Sequence, residues 1–213
     1  MDIRRPKFIA CAAFLMLMGV SLPALAYPVC IYGGRFDLPI PANPAASKGW
    51  MTDAVIEITD HHPIHDLDVR ISLTHTNVFD LQIFLQHSSP AEKGLIQERI
   101  CLNMYNLDEF FVGADYQQTI FDDEAATPIE QAEPPFIGRF KPRAGAFLEV
   151  FDNADAYGSW QLQIYDAFYA DTGTLDSFEL MIENPEPTTA LMLAFGIVLL
   201  CLFARHRRNP KNT

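Results

Sequence analysis

The stretch DLDVRISLTHTNVFDLQIFLQHSSP, residues 66–90, decides the fold class of this chain. In both of its halves apolar side chains alternate with polar ones, which is the period of a strand that buries one face. The same alternation returns in WQLQI at residues 160–164. These patterns predict strands rather than helices, with the following side chains on the buried faces: Val69, Ile71, Leu73, Leu81, Ile83, Leu85, Trp160, Leu162 and Ile164.

Shorter apolar runs at residues 55–58, 147–151 and 178–182 predict further strands, because Asn, Asp, Gly and Pro separate them. Several short strands with turn residues between them indicate an all-β sandwich. The Pro- and Ala-rich segment at residues 39–46 is typical of a loop or an extended lead-in to the first strand. We expect one domain over residues 27–184, a span long enough to bury an adequate core.

The N-terminus is organised like a secretory signal peptide. A positive region, RRPK at residues 4–7, precedes an apolar region at residues 8–22 and a small-residue cleavage site, PALA, at residues 23–26. We therefore expect residues 1–26 to be a signal peptide that directs export. An uncleaved anchor helix is the alternative.

The end of the chain joins a proline pair, an apolar run and a basic cluster in ENPEPTTALMLAFGIVLLCLFARHRRN, residues 183–209. The apolar run at residues 190–204 would measure roughly 22 Å as a helix, against about 30 Å for the hydrocarbon core of a bilayer. It predicts one short transmembrane helix. The basic cluster at residues 205–208 would stay in the cytoplasm, which places the preceding domain outside. The segment is either a permanent anchor or a tag that is cut away.

This order of motifs resembles the PEP-CTERM sorting signal of Gram-negative bacteria over residues 185–208. Its sorting motif is Pro185, Glu186 and Pro187. In that family an exosortase, a membrane-embedded cysteine protease, recognises the signal and processes it during export. The resemblance implies an exosortase-type enzyme as partner, the inner membrane as an intermediate location, and the cell envelope, cell surface or extracellular matrix as destination. An ordinary tail anchor behind a proline-rich stalk is the alternative.

The chain is acidic, with 27 Asp and Glu residues against 15 Lys and Arg residues and a formal net charge of −12. Such a surface repels phosphates, so we expect no nucleic-acid partner. The acidity fits solubility outside the cell or the binding of divalent cations. For most of these carboxylates a merely solvated surface is a sufficient explanation.

Cys30 and Cys101 are the two cysteines that lie outside the targeting segments. An oxidising compartment would allow them to join, so we predict a disulfide between them. A bridge that closes a loop of about 70 residues stabilises a fold by roughly 4 kcal/mol in the chain-entropy model. Two separate buried thiols are the alternative.

Four segments together resemble the P domain, or Homo B domain, of proprotein convertases and secreted bacterial peptidases. They are residues 66–90, TIFDDEA at 119–125, PPFIGRFKP at 134–142 and GSWQLQIYDAFYADTGTLDSFELMI at 158–182. The resemblance implies a jelly-roll-like β-sandwich. It also implies a non-catalytic role, in which the domain stabilises an attached catalytic domain or binds ligands for it. The sandwich uses the whole exported span, so we expect no attached peptidase domain here.

Acidic residues recur at the predicted strand ends and turns, where hard oxygen ligands could converge on calcium. Similar positions in bacterial P domains are associated with calcium, so the resemblance implies a calcium cofactor. The predicted metal ligands are Asp80, Asp122, Asp123 and Asp166, with Glu124 and Asp171 nearby in the same pattern. The alternative is that Asp122 and Asp123 cap backbone amides while the Asp171-Thr172-Gly173 segment forms a hairpin turn.

Other candidate groups are weaker. Tyr105, Phe110, Phe111 and Tyr116 would form a protein or glycan contact if they are exposed, although covering a sheet edge is the more ordinary role. The proline in HHPIH, residues 61–65, prevents the helix that would align these imidazoles on a metal.

A Ser-His-Asp triad can be drawn on paper from His75, Asp80 and Ser88, but no nucleophile elbow surrounds any serine. We therefore expect a non-enzymatic, calcium-stabilised sandwich with a structural or binding role, in contact with exopolysaccharide or a surface protein. The alternative is a carbohydrate-active enzyme on a jelly-roll scaffold. A deep acidic cleft would favour the enzyme, and a flat aromatic surface would favour the binding domain.

Overall fold

The structure, a computed structural model, describes residues 28–46, 48–89, 98–103 and 113–184 and the single residue Ile197. The predicted signal peptide at residues 1–26 lies outside the described residues, as does the predicted transmembrane helix apart from Ile197. In the described part of the chain, no helix is long and apolar enough to cross a membrane.

Ten strands form two five-stranded sheets within the described ranges. The order in sheet A is β1 (Val29–Ile40), β10 (Gly173–Glu183), β4 (Asp66–His75), β7 (Tyr116–Phe121) and β8 (Phe136–Phe140). Sheet B consists of β2 (Gly49–Trp50) and β3 (Ala54–Ile58) on one side of β9 (Gly158–Asp166), then β5 (Leu81–Ser88) and β6 (Glu98–Cys101) on its other side. All pairings are antiparallel except the parallel pair β7 and β8. The all-β prediction is confirmed, and the arrangement is consistent with the predicted sandwich.

The inward faces of both sheets share one hydrophobic core. All nine side chains that the alternation assigned to buried faces are buried in the structure. In sheet B, for example, Ile83 pairs with Ile164 and Leu85 with Leu162. Complete burial of a Leu or Ile side chain contributes about 1.5–3 kcal/mol. The period-two pattern therefore identified the residues that hold the sheets together.

Two local features differ from the prediction. The run at residues 147–151 contains the 3-10 helix Leu148–Phe151 instead of a strand, and both terminal side chains of that helix are buried. Their spacing of three residues matches one 3-10 turn. Strand β1 was not predicted, because it contains Gly33 and Gly34 and nearly all of its side chains stay partly or fully exposed.

Candidate functional site

Buried carboxylates gather at the two ends of β4, the central strand of sheet A. Asp68 lies near the start of β4 and His75 at its last residue. At about 3.3 Å per residue, this stretch of strand measures roughly 23 Å. Of the predicted calcium ligands, Asp122 lies at the first end, and Asp80 and Asp166 lie at the second. The four predicted ligands thus do not form one site.

At the first end, Asp68, Asp122 and Arg139 form what we call the arginine cluster. Asp122 follows β7, whose last residue Phe121 pairs with Val69, so its carboxylate lies beside that of Asp68. The Arg139 Nε donates to Asp122 Oδ2 at 2.6 Å, and its Nη2 donates to Asp68 Oδ2. One guanidinium therefore bridges two carboxylates that are almost completely buried.

Arg139 does not offset the effect of burial equally for the two carboxylates of the arginine cluster. Burial raises the pKa of Asp68 to about 7, although the charge of Arg139 opposes this shift. Burial also acts to raise the pKa of Asp122, but the hydrogen bonds from Arg139 and from the Glu124 amide outweigh it. The pKa of Asp122 therefore lies below its ordinary value. Arg139 thus holds Asp122 ionised more firmly than Asp68.

Asp122 and Asp123 also accept hydrogen bonds from the backbone. Asp122 Oδ1 accepts from the Glu124 amide at 2.7 Å, and Asp123 Oδ2 accepts from the Glu149 amide at 2.8 Å. The second bond ties the loop after β7 to the 3-10 helix Leu148–Phe151. These are the capping roles that the sequence left open as the alternative to metal binding.

At the second end, His75, Asp80, Asp166 and Asp171 form what we call the histidine cluster. The side chains of His75 and Asp166 are completely buried, with His75 Nε2 at 3.5 Å from Asp166 Oδ2. Neither of these two atoms has a hydrogen-bond partner among the residues that the structure describes. His75 Nδ1 lies 2.8 Å from the carbonyl oxygen of Asn77. The imidazole is thus held at one nitrogen and faces a buried carboxylate with the other.

Repulsion within the histidine cluster acts on Asp80. Burial, followed by the nearby carboxylates of Asp171 and Asp166, raises the pKa of Asp80 to about 6, while His75 acts in the opposite direction. Asp80 Oδ1 accepts a hydrogen bond from Asn77 Nδ2 at 2.9 Å. Among the described residues, the ion pairs of this cluster involve His75 and neither Lys nor Arg.

The described residues do not fit the calcium ion as the sequence predicted it. Within residues 28–184, as far as they are described, no group of three or more His, Cys, Asp or Glu side chains is placed to hold a metal ion. The histidines of the HHPIH segment likewise contact other side chains instead of forming a metal site. His61 Nδ1 lies 2.6 Å from Asp155 Oδ2, and His62 Nε2 lies 2.9 Å from the Tyr32 hydroxyl. Calcium binding stays a prediction from the sequence.

The predicted disulfide is absent from the structure, in which Cys30 and Cys101 are free thiols. Cys30 lies on β1 of sheet A, opposite Ile182, and Cys101 lies on β6 of sheet B, opposite Phe84. The two cysteines occupy edge strands of different sheets. A disulfide requires Cα atoms about 4.4–6.8 Å apart, and cysteine spacing along the chain carries no information on this distance.

The remaining sequence candidates do not come together. Tyr105, Phe110 and Phe111 lie outside the described residues. Tyr116, a contact candidate only if exposed, is 2% exposed and packs on Phe136 with ring centroids 4.8 Å apart, so it does not offer a contact surface. Ser88 ends β5, whereas Asp80 directly precedes its start, so they do not form a triad with His75.

The outer face of sheet B carries aromatic side chains that the sequence interpretation missed. Trp50 pairs with Tyr165 across β2 and β9, with ring centroids 4.9 Å apart, and it lies 6.1 Å from the Phe84 ring. Trp50 is 47% exposed. The signal that could have found this cluster is the outward half of the same alternation, in which Phe84 and Tyr165 occupy positions otherwise taken by glutamines.

Comparison with protein families finds a match to the PEP-CTERM protein-sorting motif over residues 185–208. The chain carries this sorting motif. The motif indicates export and sorting to the cell envelope in Gram-negative bacteria. The matched residues begin directly after the last described strand, β10, and its following residue Asn184. No curated protein matches the chain.

Two solved structures are similar to this chain. One is the serine protease of Aeromonas sobria, with 18% identity and a TM-score of 0.41, covering 82% of this chain and 29% of the protease. The other is the complex of the Aeromonas sobria serine protease with the chaperone ORF2, with 17% identity and a TM-score of 0.41, covering 75% of this chain and 28% of that chain. The present chain therefore spans less than a third of either matched chain.

Proposed function

We propose that this chain is an exported, non-catalytic protein that an exosortase-type enzyme processes at its C-terminal motif. Its jelly-roll-like, P-domain-like sandwich then has a structural or binding role at the cell surface, in extracellular matrix or exopolysaccharide. The observation that carries the proposal is the sorting motif at residues 185–208. An extended Pro-Glu-Pro segment suits a protease cleft, because its prolines prevent a helix.

The position of the motif supports processing without damage to the fold. Strand β10 ends at Glu183, and the Asn184 amide donates to the Pro28 carbonyl at 3.1 Å, which closes the sandwich beside the start of β1. Cleavage near Pro187 would remove no residue of either sheet. The folded domain would therefore be released or transferred intact.

The outer face of sheet B favours a binding domain over a carbohydrate-active enzyme. The buried carboxylates of the arginine cluster are engaged by Arg139 and by backbone amides, as expected for structural groups. The exposed aromatic side chain of Trp50 instead lies on the outer face of sheet B, beside Tyr165. Exposed aromatic rings of this kind are typical of contact surfaces.

The test is expression of the full chain in a Gram-negative host with an exosortase and in the same host lacking it. We expect intact-mass measurement of envelope material to find protein that lacks the residues after about Pro187 only when the exosortase is present. A double variant, Pro185→Ala with Pro187→Ala, should keep the C-terminal arginines in both hosts. Mature protein that retains these arginines in the exosortase host would show a permanent anchor.

A further inference from the structure

The central strands of sheet B present an uncharged outer surface, although the whole chain has a net charge of −12. Strands β5 and β9 are paired in continuous register, and their Leu and Ile side chains point inward. The outward positions hold four glutamines, two serines and two aromatic residues. We call this set the glutamine face: Gln82, Phe84, Gln86, Ser88, Ser159, Gln161, Gln163 and Tyr165.

The register places the amides of the glutamine face next to one another and next to the rings. Gln86 lies directly opposite Gln161, and Tyr165 lies directly opposite Gln82. At about 3.3 Å per residue, the face is roughly 20 Å long from Ser159 to Tyr165. Each glutamine amide offers two donors and an acceptor oxygen. Gln86 is only 8% exposed, and Gln163 Nε2 already donates to Asp53 Oδ2 at 3.1 Å. The partly exposed amides of Gln82 and Gln161, with the remaining oxygen of Gln163, are therefore the groups that offer donors and acceptors along this strip.

One end of the glutamine face is bounded by three aromatic rings, of which Trp50 is exposed and Phe84 and Tyr165 are partly buried. Trp50 packs against Tyr165 at the edge of β9, with the two ring planes tilted by 50°. The guanidinium of Arg99 lies 3.9 Å from the centroid of the Phe84 ring and 5.2 Å from that of Trp50. Arg99 is held by these rings, in the geometry of cation–π contacts. The aromatic cluster is therefore pre-arranged, while nearly half of Trp50 remains accessible.

We propose that the glutamine face, together with Trp50, binds an uncharged polysaccharide. Aromatic rings have apolar faces on which the C–H face of a sugar can lie, and amides match the paired donor and acceptor character of sugar hydroxyls. An anionic polymer would meet the strongly acidic chain and be repelled. The inference rests on the proposed extracellular binding role and names the ligand class for it.

The tryptophan content of the chain supplies a direct reporter. The chain has two tryptophans, of which Trp160 is completely buried in the core and Trp50 is 47% exposed. Quenching of fluorescence by acrylamide should therefore act mainly on Trp50. We expect a neutral glucan or galactomannan, added to the full-length protein in mild detergent, to protect this fluorescence from quenching in a saturable way.

Variants of Trp50 distinguish a loss of the ring that binds the polysaccharide from a general loss of folding. In affinity electrophoresis with the same neutral polysaccharide, Trp50→Ala should weaken retardation by about tenfold or more, the loss typical of truncating a central aromatic contact. Trp50→Phe keeps a ring and should retain most of the binding. Phe147→Ala is the matched control, because Phe147 is 51% exposed but lies outside sheet B. It should bind like wild type.

Several outcomes would overturn the inference. They are absence of protection with every neutral polysaccharide tested, equal retardation of Trp50→Ala and wild type, and retardation by alginate but not by neutral polymers. Concentration-dependent protection of Trp50 without polysaccharide would instead assign the face to a contact between two copies. Unchanged unfolding midpoints show that the variants fold. Because this assay uses unprocessed protein, it can fail while the sorting experiment succeeds, and the reverse.

Discussion

The arginine cluster and the histidine cluster hold buried carboxylates at opposite ends of the same strand, β4. In the described part of the chain, only the arginine cluster contains a permanently charged cation. In the arginine cluster the pKa of Asp122 lies below its ordinary value despite burial. In the histidine cluster burial and neighbouring carboxylates raise the pKa of Asp80 to about 6. The difference shows that burial alone does not determine how much an ionised carboxylate destabilises the fold. The identity of its partner decides whether ionisation stabilises or destabilises the fold.

The largest loss of stability is expected from Arg139→Met. The change leaves Asp68 and Asp122 buried without their common cation, so we expect a loss of about 3 kcal/mol in the free energy of unfolding at pH 8. Urea unfolding followed by fluorescence of the buried Trp160 measures it. The control is Arg35→Met, which breaks a pair whose side chains are 79% and 56% exposed, and which should leave the free energy of unfolding nearly unchanged. Equal losses in the two variants would remove the distinction between buried and surface pairs.

An Asp→Asn substitution should change the free energy of unfolding in opposite directions in the two clusters. Asp122→Asn removes the charge that Arg139 binds and should lose about 2 kcal/mol at pH 8. Asp80→Asn keeps an oxygen for the Asn77 amide and relieves repulsion from Asp171. After allowance for solvent screening it should gain about 1 kcal/mol. Urea midpoints at pH 8 provide the comparison, and a loss in both variants would contradict it.

The stability of the wild-type protein should fall by about 1 kcal/mol as the pH rises from about 4 to about 7, after allowance for solvent screening. The pKa values of Asp68 and Asp80 are raised to about 7 and about 6. A carboxyl group with a raised pKa binds protons more tightly in the folded state, so its contribution is present at low pH and is lost as the pH rises through the folded pKa.

Asp80→Asn sharpens this measurement because both carboxyl groups contribute to the pH dependence below about pH 6. The variant should therefore show a shallower fall in stability between about pH 4 and pH 6 and keep the part due to Asp68, which continues to about pH 7. The check is a series of urea midpoints between pH 4 and pH 7.5 for both proteins. Stability that rises over this interval in the wild type would show that the two carboxyl groups are ionised in the folded state at low pH.

Calcium should give the smallest effect, since no group of three or more ligating side chains is assembled among the described residues. Its charge would relieve repulsion in the histidine cluster and not in the arginine cluster, where Arg139 already supplies a cation. Thermal midpoints with calcium and with chelator, at matched ionic strength, measure the shift. Any stabilisation should disappear in Asp80→Asn and persist in Asp122→Asn. The opposite pattern would place the ion at the arginine cluster.

Much of the fold was readable from the sequence, because a buried strand face requires apolar residues at every second position. That rule identified the buried side chains of β4, β5 and β9, and turn residues marked several strand boundaries. It did not identify β1, whose side chains are mostly not fully buried, or the 3-10 helix Leu148–Phe151, whose three-residue spacing resembles a short apolar strand.

The site was less readable for a different reason. Asp80, Asp122, Asp123 and Asp166 look alike in the sequence, since each lies at or near the end of a strand. Sheet topology separates them, and only the structure shows that Arg139 on β8 reaches both Asp68 and Asp122. Cys30 and Cys101 were likewise paired by elimination, whereas the fold places them on different sheets.

By itself, the sequence determined the all-β class, the inward and outward sides of the main strands, and the sorting motif at residues 185–208. These properties are local, since alternation and short motifs are written in consecutive residues. Only the tertiary structure decided which carboxylates share a cluster, which cation compensates them, and that Trp50 joins Tyr165 and Phe84 on one face. Those properties depend on pairings between strands distant in the chain, and burial and charge partners arise only when these strands meet.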